Sequence, residues 1–342
     1  MKTKKIKSVL FFSMTWDFLN AYLPKQAVHS SATVESYRDS LTLFRRFLTD
    51  NQHRSLAKFR FSDCTKDCIY DFREYLQQVG NKPSTVNVRI TAIRTYLNYA
   101  ADKDISVQSV ALAISQIKPL KKVQGEIKVL SEDALAAVLS APPKTKMGLR
   151  DRAILITLYD SAVRLSELLT VKLGDIRFDG EYPSIFILGK GKKERTVQLT
   201  EKSVGHLKEY INVFHTHSSR DDYLFSTTIK GNTDKMSSGN VQRLLKQYAG
   251  IARQICPDMP ESVHPHMFRR TRATNLYQDG IDLVLVSAVL GHAKVDTTKK
   301  SYAQPSVAQL RNAIESVPTP TKDEEPFWIG NEEEMARRCG LR

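Results

Sequence analysis

The stretch HPHMFRRTRATNL, residues 264–276, carries two histidines and three arginines within nine consecutive positions. Residues three apart lie on one side of a helix, so His266 and Arg269 are predicted to project together while the apolar residues between them face inward. Arg270 and Arg272 are then expected to point away from that pair. Composition alone favours a solvated basic helix surface, and the rest of the chain decides whether the cluster does more.

Length and charge limit the classes of protein that the chain can represent. Its 342 residues are comfortable for two domains of ~100–200 residues each. Lysine and arginine number 51 against 37 aspartate and glutamate residues, and the net charge is +14 at pH 7. Such a surplus attracts a polyanion and makes its binding depend on salt. The charge therefore favours nucleic acid as the partner, although many basic proteins bind no particular polyanion.

Cysteine usage and hydropathy indicate the compartment. The chain has four cysteines, Cys64, Cys68, Cys256 and Cys339. They are too few for a disulfide framework, and CTKDC at 64–68 lacks the CxxC spacing of a zinc half-site, so we expect a cytoplasmic protein without a metal ion. No segment approaches the ~20 apolar residues of a membrane-spanning helix. The basic N-terminus is predicted to begin a folded helix and not a signal peptide, because Asp17 and Asn20 interrupt its apolar run.

Hydrophobic periodicity divides the chain into regions. The segments 31–48 and 82–100 place apolar residues at steps of three or four, which predicts amphipathic helices, the first capped by Ser31 or Thr33. Lysines, a proline and a glycine then interrupt the pattern. We predict a helical domain at residues 1–117, a basic linker at 118–128, a second domain at 129–316 and a C-terminal tail at 317–342.

The second domain mixes helices with a small antiparallel sheet. Ser131 is predicted to cap its first helix, and residues 148–173 form one long buried helix or a broken pair. In YPSIFILGKGKKERTVQL, residues 182–199, an apolar strand, a glycine turn and an alternating strand predict a hairpin with lysines at its tip. Helical patterns follow. The fold class is therefore mainly α with a small antiparallel β-sheet in the C-terminal domain.

Polar and basic residues opposite the buried stripe of segment 82–100, with the linker lysines, are candidates for contact with the DNA backbone. They are Asn87, Arg89, Thr91, Arg94, Lys121 and Lys122. An ordinary solvated surface explains the same pattern equally well.

Three polar sites interrupt the apolar pattern of the second domain. Arg164 lies between apolar neighbours and needs a partner, which Glu167, three residues on, can supply. Taken alone, such a pair is more often structural than catalytic. His292 follows Gly291 at a predicted helix end, and Tyr302 comes ten residues later.

Taken together, these stretches resemble motifs of the tyrosine recombinase (phage integrase) family, and they occur in the same order as in that family. The matching motifs are VRLSELL with Arg164, GKGKKERTVQL with Lys190, HPHMFRRTRATNL with His266 and Arg269, LGHAKVDTT with His292, and Tyr302. The resemblance covers nearly the whole chain except the tail. It implies a two-domain DNA clamp, with a helical core-binding domain and an α+β catalytic domain.

The resemblance also implies a site-specific recombinase that cuts and rejoins DNA. Tyr302 would attack the scissile phosphate and form a 3′-phosphotyrosine link, so that religation needs neither ATP nor a metal ion. Arg164 and Arg269 would pair with nonbridging phosphate oxygens, with Glu167 holding Arg164. The nearby cations would favour the phenolate of Tyr302.

The remaining roles follow from the same resemblance. His292 would donate a further hydrogen bond, His266 would transfer a proton to or from the tyrosine, and Lys190 would protonate the 5′ leaving oxygen. Lys192 and Lys193 are alternatives to Lys190 and otherwise contact DNA. Arg270 and Arg272 are assigned to backbone contact or structural pairing.

The resemblance implies that the protein binds double-stranded DNA with specific sites, as a homotetramer on synapsed DNA, together with accessory DNA-bending proteins. It implies no cofactor, and it places the DNA-bound protein in the nucleoid. The tail with Phe327 and Trp328 is either disordered or docks on a neighbouring subunit. Ala162 stands where the family often has glycine, Arg270 where it often has histidine, and Tyr302 one residue later than usual. A type IB topoisomerase and a catalytically inactive DNA-binding relative are the alternatives.

Overall fold

The computed structural model describes residues 9–121, 128–189, 194–291, 295, 296, 298, 307–315, 330 and 332–341. The chain divides into two compact units, Met1–Gly125 and Glu126–Arg342. No helix in the described ranges is long and apolar enough to cross a membrane.

The first unit is built from helices. They are the 3₁₀ helix Phe11–Met14, α1 Thr15–Asp17, the π-helix Phe18–Gln26, α2 Ser31–Arg46 with a π-helical extension Phe47–Asn51, the 3₁₀ turn Phe61–Asp63, α3 Lys66–Gln78, α4 Pro83–Lys103, the 3₁₀ turn Ile105–Val107 and α5 Gln108–Ser115. The N-terminal segment is thus a folded helix, as predicted.

Local sequence explains where these helices begin. The predicted caps of α2, Ser31 and Thr33, are wrong: Ser30 is the cap, and its hydroxyl accepts the N–H of Thr33 at 3.3 Å. Pro83 opens α4 at the first helical position, where its missing N–H leaves no bond unmade. The core is aromatic, and the buried Tyr96 donates its hydroxyl hydrogen bond to the carbonyl of Phe11, which ties the N-terminal segment to α4.

The second unit combines helices with two small sheets. Its elements are α6 Glu132–Ser140, α7 Lys146–Asp160, α8 Leu165–Leu168, the 3₁₀ turn Leu173–Asp175, β1 Ile176–Arg177, β2 Ser184–Leu188, β3 Glu194–Gln198, α9 Glu201–Phe214, β4 Ser226–Ile229, β5 Asn232–Lys235, α10 Ser238–Arg253, α11 Pro265–Gln278, α12 Leu283–Leu290, α13 Val307–Glu315 and α14 Glu332–Arg338. Ser131 caps α6, as predicted, by accepting the N–H of Ala134.

The predicted hairpin is β2 and β3, which pair antiparallel with Ile187 opposite Arg195. Strand β1 joins its other edge, and β4 pairs with β5 in a second sheet. Neither addition was predicted, because β1 has two residues and β4 and β5 expose most of their side chains, so no alternation marks them.

Residues 148–173 form the broken pair of helices, α7 and α8. The break contains Ala162, which is fully buried and has a φ of 49°. A left-handed conformation costs an L-residue with a Cβ ~1–2 kcal/mol, and glycine avoids that cost. The glycine that the family resemblance leads us to expect at this position would avoid that cost.

Candidate active site

Helix α11 carries the histidine and arginine of the opening stretch, and Arg269 points into the protein. Its side chain is 1% exposed. Nη1 donates to the carbonyl of Ala162 and Nη2 to the carbonyl of Leu290, both at 2.6 Å. Arg269 thus connects α11 to the turn before α8 and to Leu290 at the end of α12. Leu290 lies two residues before His292.

Arg164 stands at the start of α8, beside that turn. Its N–H donates to Oε2 of Glu167 and its Nη1 to Oε1, each at 2.9 Å. Glu167 is 5% exposed, whereas 42% of the Arg164 side chain remains open to solvent. The predicted pairing of these two residues is present, and it leaves the arginine accessible from outside.

A second arginine, Arg195 on β3, reaches the same carboxylate and was missed by the sequence analysis. Its Nη2 donates to Oε2 of Glu167 at 2.7 Å and its Nη1 to Oε1 at 3.3 Å. The alternating pattern of β3 could have identified it, because Arg195 lies two residues before the buried Val197 and so shares its face of the sheet.

Opposing effects set the ionisation of Glu167. Burial raises the pKa of its carboxyl, but hydrogen bonds from Arg195 and from the main chain and side chain of Arg164 outweigh burial and lower the pKa to about 2. The carboxylate therefore stays charged at neutral pH.

His266 lies on the outer side of α11, exposed, among basic groups. Desolvation of the ring lowers its pKa, and four neighbouring basic side chains lower it further, to about 4. In order of effect these are Arg270, Arg269, His264 and Arg164. The ring is thus neutral at pH 7 and able to accept a proton.

Arg270 differs from the expectation that it points away from His266. It follows His266 by four residues, one turn of α11, and its charge lowers the pKa of that ring. Desolvation is the main cause that lowers the pKa of His264, and the charge of Arg270 lowers it further. Its guanidinium therefore belongs to the same cationic cluster.

Two other residues of α11 serve packing. The guanidinium of Arg272, a predicted DNA contact, lies 5.3 Å from the ring centroid of Tyr159, in a cation–π contact. The hydroxyl of Thr271 accepts the N–H of Leu130 at 2.9 Å, which fixes the residue that enters the second unit from the linker.

In the first unit, two predicted DNA contacts on α4 hold the chain that leaves it. Nδ2 of Asn87 donates to the carbonyl of Leu120 at 2.9 Å, and Oδ1 of Asn87 accepts the N–H of Leu120 at 2.8 Å. Arg94 donates to the carbonyl of Ile117 at 2.8 Å. The side-chain amide of Asn87 is therefore occupied by the main chain.

The other DNA candidates of this unit are less constrained. Arg89 is half-buried, while Thr91 and Lys121 are exposed. Several predicted site residues lie outside the described residues: Lys122, Lys190, Lys192, Lys193, His292, Tyr302, Phe327 and Trp328. The described part of the site is thus Arg164, Glu167, Arg195, His266 and Arg269 with Arg270.

Two family sequence profiles match the chain. The profile of the phage integrase SAM-like domain matches residues 5–114, and that of the phage integrase family matches residues 128–309. The matches leave the acidic tail uncovered.

Relatives support the same assignment along most of the chain. Tyrosine recombinase XerC of Staphylococcus epidermidis is 30% identical over 287 residues, which are 82% of this chain and 89% of that protein. XerC of Staphylococcus haemolyticus is 30% identical over 297 residues, 86% of this chain and 93% of that protein.

Solved structures share the fold. The XerH recombinase bound to its difH substrate before cleavage superposes with a TM-score of 0.63 at 21% identity, covering 82% of this chain and 78% of that one. The lambda integrase tetramer bound to a Holliday junction gives 0.64 at 15% identity, covering 88% and 80%. The predicted fold class and resemblance are confirmed, and the chain belongs to the phage integrase family of tyrosine recombinases.

Proposed function

We propose that this protein is a site-specific DNA recombinase that cleaves and rejoins DNA through a covalent 3′-phosphotyrosine intermediate at Tyr302. One observation carries the proposal: Arg269 bonds both the turn that leads to Arg164 and the end of α12 that precedes His292, and the charges of Arg164 and Arg269 both act on His266. Family membership supplies the class of reaction, and the convergence supplies cationic groups suited to a phosphate.

The reaction balances without an external energy source. The hydroxyl oxygen of Tyr302 attacks the scissile phosphorus, and the bond from phosphorus to the 5′ oxygen breaks. His266, neutral at pH 7 because its pKa is about 4, takes the tyrosine proton, and Lys190 gives a proton to the departing oxygen. The phosphotyrosine preserves the energy of the bond for religation, so the proposal includes independence from ATP and metal ions.

Fixed positive charge stabilises the transition state. Arg164, with 42% of its side chain exposed, has a planar fork that matches two phosphate oxygens. The buried guanidinium of Arg269 is fixed by the carbonyls of Ala162 and Leu290 and contributes positive charge. Because both guanidinium groups are oriented before substrate arrives, little reorganisation is needed during the reaction. His292 is assigned as a further donor.

The proposed partner is double-stranded DNA carrying specific sites, bound by a homotetramer that holds two sites together, with accessory DNA-bending proteins. The net charge of +14 favours such a partner, and the lambda integrase structure is of a tetramer on a Holliday junction. We assign Phe327 and Trp328 to a tail segment that docks on a neighbouring subunit.

A covalent-capture experiment tests the proposal. The full chain is incubated with sheared DNA of the genome that encodes it, denatured with detergent, and the protein-linked DNA is precipitated and sequenced. We expect the wild type to recover a few discrete sites. Tyr302→Phe should reduce recovery to background, because it removes the nucleophilic oxygen. Tyr277→Phe, the same change at the preceding tyrosine, should leave recovery unchanged.

Other outcomes contradict particular parts of the proposal. Adducts formed by Tyr302→Phe would mean that the nucleophile is misassigned, and specific binding without any adduct would favour an inactive DNA-binding relative. Relaxation of a supercoiled plasmid lacking the recovered sites would favour a type IB topoisomerase. Adduct yield that falls with a chelator, or that requires ATP, would contradict the proposed independence.

A further inference from the structure

We infer that Arg195 is a positioning residue for this reaction: by sharing Glu167 with Arg164, it keeps the Arg164 guanidinium available to the scissile phosphate. The inference rests on the proposed function. It assigns to β3 a residue that acts through another side chain and does not itself touch the DNA.

The carboxylate of Glu167 is fully used. Oε1 accepts from Nη1 of Arg164 at 2.9 Å and from Nη1 of Arg195 at 3.3 Å. Oε2 accepts from the N–H of Arg164 at 2.9 Å and from Nη2 of Arg195 at 2.7 Å. A carboxylate offers about four acceptor positions, and these four bonds occupy them.

This sharing determines how Arg164 is bound. Arg195 takes the two-point contact with Glu167, so the side chain of Arg164 is held through Nη1 alone and stays 42% exposed. Without Arg195, the vacated positions on Glu167 would invite the second terminal nitrogen of Arg164. A bidentate pair of that kind would turn the arginine's fork away from a phosphate.

Charge acts in the same direction. Two arginines around one carboxylate carry a net charge of +1, whereas Arg164 and Glu167 alone are neutral. In a partly buried site, that difference weakens the stabilisation of the negative charge that develops on the phosphate in the transition state.

Arg195 also supports the chain that leads to His292. Gly291 ends α12 in the left-handed conformation, with φ 63°. A Cβ built on Gly291 would lie 2.7 Å from Nε and 2.8 Å from Cδ of Arg195, so the arginine packs directly against this glycine. One side chain thus contacts both the partner of Arg164 and the residue before His292.

The test uses the full chain and a nicked duplex made from a site recovered by covalent capture. Adduct formation is measured in single turnover, and DNA affinity is measured separately. Arg195→Gln should slow adduct formation by ~10²-fold, the order expected when a catalytic group is displaced by ~1 Å, while the Kd for the duplex changes less than about threefold. Arg177→Gln, the same change at an exposed position of β1, should leave both quantities unchanged.

Two further variants separate positioning from loss of structure. Arg195→Lys keeps the charge but loses the fork, so we expect a loss smaller than that of Arg195→Gln. In an Arg164→Ala background, Arg195→Gln should cost much less than in the wild type, because the effect transmitted through Arg164 is already lost and only the charge and the contact with Gly291 remain to be removed. Equal losses in both backgrounds, or a rate for Arg195→Gln equal to wild type, would overturn the inference.

The proposed function can fail independently of this inference. If Tyr302→Phe still forms adducts, the assignment of the nucleophile is wrong whatever Arg195 does. If Tyr302→Phe is inactive and Arg195→Gln reacts at the wild-type rate, only the positioning role is lost. If Arg195→Gln does not fold, as judged by its thermal transition, the Arg195→Lys comparison in both backgrounds decides.

Discussion

Among single residues, Glu167 shows how a buried charge is maintained. Taking a carboxylate out of water is costly unless hydrogen bonds replace its hydration. Here two arginine side chains and one N–H do so, and the pKa falls to about 2 in spite of burial. The group that orients Arg164 therefore keeps its charge across the whole physiological range of pH.

This pKa predicts an acid dependence of stability. An unfolded glutamate titrates near ~4.3, so the folded state binds fewer protons and acid favours unfolding. The stabilisation is complete above the unfolded pKa and is lost as the pH falls from about 4.3 towards 2. It amounts to roughly 3 kcal/mol.

Urea unfolding of wild type and Glu167→Gln between pH 7 and pH 3 measures this contribution. The difference in unfolding free energy should be largest at neutral pH and should shrink below about pH 4. Glu181→Gln, at an exposed position of the same unit, is the matched control and should show a much smaller difference. A Glu167→Gln difference that is constant with pH would contradict the assigned pKa.

Among the elements, α11 does the most diverse work. His266 is exposed, and the charge of Arg270 acts on it. Arg269 points inward to two carbonyls, Thr271 holds Leu130, and Arg272 covers Tyr159. A helix that uses every side in this way tolerates few substitutions, although its sequence reads as a basic surface patch.

We therefore predict that two similar substitutions on α11 differ in effect. Arg269→Lys replaces a fork that bridges Ala162 and Leu290 with a single ammonium, and should cost about 3 kcal/mol of unfolding free energy. Arg272→Lys keeps a cation over Tyr159 and should cost less than about 1 kcal/mol. Urea unfolding compares them, and a loss for Arg269→Lys as small as that expected for Arg272→Lys would show that the buried bridge is not needed for stability.

The sequence predicted the long helices, the hairpin and the pairing of Arg164 with Glu167, because periodicity and short spacings are local properties. It could not predict that Arg269 is buried, since the carbonyls that accept its bonds belong to residues far along the chain. The same reason hid the contact of Asn87 with Leu120. The left-handed backbone of Ala162 could not be predicted either, because a glycine indicates a positive φ whereas an alanine does not.

For the molecule as a whole, charge is divided between the body and the tail. The chain is strongly basic, whereas residues 323–334 contain six acidic residues and no basic one. An acidic segment with an apolar centre is suited to dock on the basic surface of another copy, which supports the proposed docking of the tail on a neighbouring subunit.

Truncation after Pro318 tests whether the tail docks in this way. On a duplex carrying a recovered site, the full chain should give a tetramer on two DNAs by light scattering. The truncated chain should bind the duplex with a Kd within about threefold of wild type but remain in smaller complexes, because docking residues are lost while DNA contacts are kept. A control that changes only the six acids to their amides shows whether charge or apolar contact matters more. A tetramer that survives truncation would rule out tail docking as its basis.

Two sets of hydrogen bonds, one on each side of the connection between the units, set a thermodynamic property of the chain. Asn87 holds Leu120 in one unit and Thr271 holds Leu130 in the other, so the tether between these two fixed residues spans residues 121–129. Once one unit has bound DNA, a short tether presents the other at an effective concentration in the mM range. Two contacts that are weak alone then act as one strong contact. We therefore expect the two anchoring side chains to raise DNA affinity by limiting the length of the tether.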